Sequence, residues 1–302
     1  MSLRQFARRA LERLADPPED RRTLGSATRR LDVNGRERSY DLFLSPDLDT
    51  TKKSPIIFGF HGRNSAPAQF AYVSQLSRRG GGQGYVVAYP AAQEGVWDAA
   101  PTESNYSNND VAFAQAMLED ISTVVAIDPF RIFATGMSNG GQMAYRLACE
   151  LSDRIAAIAV CACGMKRGEC RPRNPVSVLH LHGTQDPLVP FAWGRDAVDQ
   201  WIEFDDCEGV PIETYRNGAA ICLTYSNPLT HASVALCTID GMGHQWPGLA
   251  IRLSEGETRL LGLPAILSRL GPGTDDVDAT GMLLSFFSNH PMRQLGEFAS
   301  ES

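Results

Sequence analysis

Two features are missing from this sequence: an apolar run long enough to cross a membrane, and an excess of basic residues. The 28 Lys and Arg residues are outnumbered by 35 Asp and Glu residues, which gives a formal net charge of −7. A protein that binds nucleic acid is expected to carry a basic surface, so the charge argues against that class. No apolar stretch approaches the roughly 20 residues of a transmembrane helix. We therefore predict no nucleic-acid partner and no membrane span.

The sequence also lacks internal repeats, low-complexity segments and the apolar core of a secretory signal peptide. Apolar residues make up 43% of the 302 residues, which is enough for a substantial core. We predict an N-terminal helical extension over residues 1–22, where apolar side chains recur at helical spacing, and a single domain over residues 23–302. This N-terminus predicts a cytoplasmic protein. An organelle presequence is the alternative, because such segments are amphipathic and arginine-rich.

Short apolar runs of strand length alternate with helical patterns along the chain. The runs at 54–60, 84–89 and 131–137 are mostly apolar, as buried parallel strands are. Asn34-Gly35 lies between two further strand-like runs and indicates an antiparallel hairpin, because both residues tolerate the positive φ of a type I′ turn. The alternation predicts an α/β fold with one mainly parallel sheet, helices on both faces and an N-terminal hairpin.

One short segment, Gly136-Met-Ser-Asn-Gly140, has the pattern of a catalytic serine turn. It lies between an apolar run and a helical pattern that begins at Gln142. Gly-x-Ser-x-Gly between a strand and a helix is typical of a nucleophile elbow, a sharp turn that presents the serine hydroxyl. Side chains at either glycine would collide with neighbouring backbone, and the N–H after the serine is free to bind a negative oxygen. A plain turn would have the same residues, so the pattern needs support from elsewhere.

Two later loops supply the partners that a nucleophilic serine needs. A serine hydroxyl is a weak nucleophile, so it requires a base to take its proton and a third group to orient that base. Asp186 follows a predicted strand, and His244 follows another strand in a loop with glycines before and after it. The order Ser, Asp, His is that of the α/β-hydrolases. The sequence therefore predicts Ser138 as nucleophile, Asp186 as acid and His244 as base, with residues 249–278 as a flap beside them.

Three motifs carry a resemblance to a known family: Gly136-Met-Ser-Asn-Gly-Gly141, His182-Gly-Thr-x-Asp186 and Gly243-His-x-Trp-Pro-Gly248. Together they resemble the polyhydroxybutyrate depolymerase-like and feruloyl esterase-like hydrolases, over roughly residues 36–291. The resemblance implies an α/β-hydrolase fold, the Ser-Asp-His triad, and oxyanion donors from the backbone of Arg63 and Asn139. Relatives often have a cysteine where this chain has Arg63, so the rim of the pocket differs.

The resemblance implies a serine esterase that hydrolyses carboxylic esters through an acyl-enzyme and needs no cofactor or metal. Hydroxyalkanoate oligomers and feruloyl or acetyl esters of polysaccharides are candidate substrates. A serine peptidase is one alternative, because the same triad cleaves amides. A non-catalytic binding protein is the other, although such a protein would normally have lost a triad member. Relatives are commonly secreted, which makes secretion the alternative to a cytoplasmic location.

Several residues near these motifs have two interpretations. Trp246 and Trp97 are candidate substrate-binding residues, and packing is the alternative for each. His61 either supports the oxyanion turn or contacts substrate. Asp205 and Asp206 are the nearest rival acids, but they end a predicted helix instead of following a strand.

The seven cysteines leave at least one unpaired. No metal is expected at Cys161, Cys163 and Cys170, because no histidine or fourth cysteine lies nearby in sequence. Relatives resembling this chain often have paired cysteines at places similar to Cys207 and Cys222, which bracket a polar loop or irregular hairpin. That pairing would imply an oxidising compartment, whereas the N-terminus points to a reducing one.

Overall fold

The computed structural model describes residues 26–99, 109–166, 168, 171–207, 209–248 and 269–293. The predicted N-terminal helical extension lies outside the described residues, as does most of the predicted flap.

Ten strands of the described chain form one mixed sheet in the order β1-β2-β4-β3-β5-β6-β7-β10-β9-β8. From β4 to β10 in that order, all neighbouring strands are parallel, and antiparallel pairs complete the sheet at both ends. The strands are β1 Ser26–Val33, β2 Arg36–Phe43, β3 Ser54–Phe60, β4 Val86–Pro90, β5 Ile127–Met137, β6 Ala157–Cys161, β7 Ser177–Gly183, β8 Ile212–Asn217, β9 Ala220–Ser226 and β10 Ser233–Ile239.

Helices cover both faces of this sheet. They are α1 Pro67–Ser74, α2 Leu76–Gly81, α3 Asn109–Ser122, α4 Asn139–Glu150, α5 Phe191–Phe204 and α6 Ala279–Asn289, with a 3-10 turn at Gln93–Gly95. Successive strand side chains point to opposite faces. Accordingly, Ile56 and Phe58 of β3 pack in the core with α3, α4 and α5, and Ile57 packs in the core with α1, α2 and α6. The predicted N-terminal hairpin and mainly parallel sheet are present.

The parallel arrangement decides where functional loops meet. Parallel strands end at the same edge of a sheet, and the crevice outside their carboxyl ends is the usual place for a ligand in open α/β sheets. The loops after β3, β5, β7 and β10 therefore lie along one edge. These are the loops that carry the predicted oxyanion donors and the three predicted triad residues.

The Cys207–Cys222 pairing, which the sequence left open, is not formed. Cys222 of β9 is bonded to Cys237 of β10, and the two Cα atoms are 3.9 Å apart. The antiparallel register places these two cysteines directly opposite each other. Cys207 is buried and free, and its thiol donates to the backbone oxygen of Ala232 at 3.6 Å. Cys149 also belongs to a disulfide.

Candidate active site

Ser138 lies in a sharp turn between the end of β5 and the start of α4. Its backbone has φ 58° and ψ −127°, in the left-handed region that side chains disfavour. Its N–H donates to the carbonyl of Cys161 at 3.0 Å. A Cβ on Gly136 would stand 2.8 Å from the Phe60 oxygen, and one on Gly140 would stand 2.5 Å from the His61 oxygen. Both glycines are therefore required by the close approach of the β3 backbone.

Asp186 and His244 come together from the loops after β7 and β10. His244 Nδ1 lies 2.8 Å from Asp186 Oδ2, and both side chains are buried. Asp186 Oδ1 accepts the backbone N–H groups of Leu188 at 2.8 Å and Val189 at 2.9 Å. Burial by itself would raise the pKa of Asp186, but hydrogen bonds from His182, His244 and Val189 hold that pKa well below its usual range. The carboxylate is thus ionised and fixed against the imidazole.

The loop of His244 is held by a later part of the chain. His244 N–H donates to the Leu270 oxygen at 2.5 Å, and Gly243 N–H donates to the Pro272 oxygen at 2.7 Å. The Gln245 side-chain amide donates to the Gly271 oxygen. The described end of the predicted flap, residues 269–278, therefore lies beside this loop. Residues 249–268 lie outside the described chain, so the flap itself stays a prediction.

The loop after β3 lies against the serine. A Cβ on Gly62 would be 3.7 Å from the Ser138 Cβ. Within the residues that the structure describes, neither Arg63 nor Asn139 donates its backbone N–H to an acceptor. The Arg63 side chain is exposed. Two backbone donors beside the serine are thus available for an anionic oxygen.

Trp97 connects the loop after β3 to the start of α4. Its indole Nε1 donates to the His61 oxygen at 2.8 Å. Its backbone N–H donates to Asn139 Oδ1 at 2.8 Å, and Asn139 Nδ2 donates to the Trp97 oxygen at 3.2 Å. The residue is buried, with 2% of its surface exposed. These contacts give Trp97 a bracing role, and a contact with substrate stays a prediction.

Trp246 occupies a similar position two residues after His244. Its Nε1 donates to Thr280 Oγ1 at 3.1 Å, and Phe70 packs edge-on to it at 5.4 Å. Only 4% of its surface is exposed. Trp246 therefore fixes the His244 loop to α6, and its predicted substrate contact is likewise untested.

His61 supports the oxyanion loop from beneath. Its Nδ1 donates to the Gly62 oxygen at 2.8 Å, and its Nε2 accepts the Ala92 N–H at 3.1 Å. Burial lowers the pKa of His61, which favours the neutral ring that these two bonds require. Of the two interpretations left open by the sequence, these bonds fit the supporting one.

The rival acids lie elsewhere. Asp205 is buried at the end of α5, where its Oδ1 accepts the Val176 N–H at 3.2 Å, and burial raises its pKa to about 8. Asp206 is exposed.

Across the described ranges, no group of three or more His, Cys, Asp or Glu residues is arranged to hold a metal ion. Nor does any described helix combine the length and apolarity needed to span a membrane.

Sequence reasoning missed one set of residues here. A buried chain of hydrogen bonds links Tyr145, His180 and His182 and ends at the Val189 oxygen, beside Asp186. The spacing of His180 and His182 by two residues on a strand was the available signal, since it places both on one face.

The chain is similar in sequence to two known esterases. Feruloyl esterase C of Emericella nidulans is 30% identical over 195 residues, which cover 62% of this chain and 68% of that protein. Feruloyl esterase B of Piromyces equi is 29% identical over 217 residues, or 64% of this chain, and the match spans only 40% of that longer protein. No family model matches the chain.

The solved structure of acetyl xylan esterase from Aspergillus awamori has the same fold, with a TM-score of 0.60 over 78% of this chain and 99% of that one, at 14% identity. The fold is that of the α/β-hydrolases. The enzyme class is that of the serine hydrolases that act on carboxylic esters. Within that class, the chain belongs to the feruloyl esterase-like family.

Proposed function

We propose that this protein is a serine esterase in which Ser138, Asp186 and His244 form the catalytic triad. The observation that carries the proposal is the buried 2.8 Å contact between His244 Nδ1 and Asp186 Oδ2, at the same sheet edge as a serine in a strained elbow. The Ser138 hydroxyl makes no hydrogen bond to another described residue. Catalytic hydrogen bonds are often long without substrate and tighten in the complex.

In the proposed mechanism, His244 Nε2 takes the proton of Ser138 as Oγ attacks the ester carbonyl. Asp186 accepts from Nδ1, which fixes the tautomer and stabilises the imidazolium that forms. The backbone N–H groups of Arg63 and Asn139 receive the oxyanion. His244 then protonates the leaving alcohol, and water releases the acyl group through the same steps in reverse.

The relatives support an ester of a polysaccharide, feruloylated or acetylated, as the substrate class. Two relatives are named feruloyl esterases, and the solved structure is named an acetyl xylan esterase. Leu188 and Trp193 supply large apolar surface just beyond Asp186, with 54% and 55% of their surface exposed. An aromatic acyl group or a sugar ring is the kind of ligand that such side chains contact. Hydroxyalkanoate oligomers remain the other candidate substrate.

The experiment compares the purified protein with Ser138→Ala on p-nitrophenyl acetate, methyl ferulate, acetylated xylan, hydroxybutyrate oligomers and a peptide anilide. Removing the nucleophile should lower ester hydrolysis by about three orders of magnitude or more. A fluorophosphonate should label the wild-type protein at Ser138 and leave the variant unlabelled. Substantial hydrolysis by Ser138→Ala, or labelling at another serine, would refute the assignment. Faster cleavage of the anilide than of every ester would indicate a peptidase instead.

A further inference from the structure

A continuous chain of hydrogen bonds runs behind the proposed catalytic acid. Tyr145 Oη lies 2.8 Å from His180 Nδ1, and His180 Nε2 lies 3.0 Å from His182 Nδ1. His182 Nε2 lies 3.0 Å from the Val189 oxygen and 3.5 Å from Asp186 Oδ2. The Tyr145 and His180 residues are fully buried, and the side chains of His182 and Asp186 have no exposed surface. These hydrogen bonds therefore join the helix that follows Ser138 to the loop of Asp186, and the last imidazole lies 3.5 Å from the Asp186 carboxylate.

The acceptor at one end of the chain sets the direction of every bond in it. A carbonyl oxygen can only accept, so His182 Nε2 carries a proton, and Nδ1 accepts from His180 when the ring has only that proton. His180 consequently donates from Nε2 and accepts at Nδ1 from the hydroxyl of Tyr145. Burial lowers the pKa of His180 well below its usual value, in agreement with a neutral ring. The last donor, His182 Nε2–H, thus points to the Val189 carbonyl in the Asp186 loop.

The surrounding elements are shaped to hold this chain. His180 and His182 alternate along β7, so their rings stack on one face with centroids 5.3 Å apart and planes inclined by 7°. Gly194 of α5 packs directly over their hydrogen bond, and a Cβ there would stand 2.6 Å from His180 Nε2. The Tyr145 ring stacks on Trp201 of the same helix. The two imidazoles fit because α5 has no side chain at that position.

The two carboxylate oxygens of Asp186 have different partners. Oδ1 accepts two backbone N–H groups of its own loop, whereas Oδ2 faces both His244 and His182. From this geometry, and resting on the proposed triad, we infer that His182 is a positioning residue. Its Nε2–H donates to the Val189 carbonyl and so fixes the loop whose N–H groups bind Asp186 Oδ1, and the same nitrogen lies 3.5 Å from Asp186 Oδ2. The buried Tyr145–His180 pair holds His182 in the required tautomer.

The titratable groups around His182 and Asp186 come from five segments of the chain. They are Asp186 on its own loop, His180 on β7, His244 after β10, Tyr145 on α4, and Cys161 and Cys163 at the end of β6. Burial raises the pKa of both thiols, so they stay neutral. The charged groups nearest to His182 are therefore Asp186 and, when it is protonated, His244.

The test replaces His182 by leucine, which removes the donor, and by glutamine, whose amide restores an N–H near the Nε2 position. Rates are expressed per active site titrated with a fluorophosphonate, so that unfolded molecules do not count. His182→Leu should lower kcat by about tenfold to a hundredfold, the scale seen for outer-shell partners, with KM little changed. The acid limb of its kcat/KM profile should move to lower pH, because a carboxylate turned away from the imidazole no longer stabilises the imidazolium. His182→Gln should recover part of both effects.

The control is His290→Leu, which also removes a largely buried histidine, one whose Nδ1 bonds the Phe286 oxygen on the opposite face of the sheet. It should leave the acid limb in place. If His182→Leu keeps its rate per active site, or its acid limb stays or moves to higher pH, the positioning role is refuted. The Ser138→Ala variant separates this outcome from a failed triad: if it remains active, the proposed function itself has failed.

Discussion

At the scale of single residues, the site depends on one buried carboxylate. Asp186 accepts from two backbone N–H groups and faces two histidines, so asparagine fits its place but cannot accept from His244 Nδ1 in the same way. We expect Asp186→Asn to lower kcat by about 10⁴, as the equivalent change does in serine proteases. Asp206→Asn changes the exposed carboxylate next to Asp205 in the same way; it is the control and should leave kcat unchanged. A smaller loss for Asp186→Asn than for Asp205→Asn would show that the wrong acid has been chosen.

Asp205 allows a second prediction, about stability and pH. Burial raises its pKa to about 8 in the folded protein, and Oδ2 has no hydrogen-bond partner among the described residues. The unfolded chain ionises near pH 4, so folding binds a proton between about pH 4 and pH 8. The free energy of unfolding should therefore fall as pH rises through that window, by at most about 1.4 kcal/mol per pH unit from this group.

Asp205→Asn removes that proton uptake. Relative to wild type, the variant should become progressively more stable from pH 5 to pH 8, as measured by urea unfolding at each pH. Asp206→Asn again serves as the control, because it removes the neighbouring carboxylate, which is exposed instead of buried. A constant difference between Asp205→Asn and wild type across this range would contradict the prediction.

At the scale of elements, the loop of residues 91–99 braces the two segments that carry the proposed oxyanion donors. Trp97 bonds both the His61 carbonyl and the Asn139 side chain, so it sets the distance between the two donor segments. Arg38 holds the same loop, since it donates to the Ala91 oxygen and pairs with Asp110, which accepts the Asp98 N–H. The donors are therefore positioned by contacts outside the elbow itself.

Trp97→Phe should consequently lower kcat by about tenfold, with KM little changed. The phenyl ring keeps most of the packing, but the buried His61 carbonyl loses its donor and the oxyanion loop loses its brace. Trp201→Phe is the matched control, because the Trp201 indole N–H has no partner among the described residues and no hydrogen bond is lost. Steady-state kinetics on methyl ferulate provides the measurement, and equal losses in the two variants would show that the effect is one of packing.

At the scale of the whole molecule, the sequence was sufficient where periodicity and order decide the structure. The apolar run at 54–60 and the Asn34-Gly35 turn predicted β3 and the first hairpin, and the order of motifs predicted that Asp186 and His244 meet. The Cys222–Cys237 pair was missed because β9 was not recognised as a strand, so its register against β10 was unknown. The spacing of His180 and His182 places both rings on one face of β7, but their link to Tyr145 depends on how α4 and α5 pack on that strand, which no local pattern encodes.

The order of the parallel strands has a consequence for how this enzyme gains and loses activity. Asp186 and His244 are 58 residues apart in the sequence, and Ser138 belongs to yet another crossover unit of the sheet. A fragment that lacks any one of these strand ends would lack one part of the proposed site. With the proposed triad, catalysis is a property of the whole sheet, and turnover reports the fraction of molecules whose long-range strand pairing is complete.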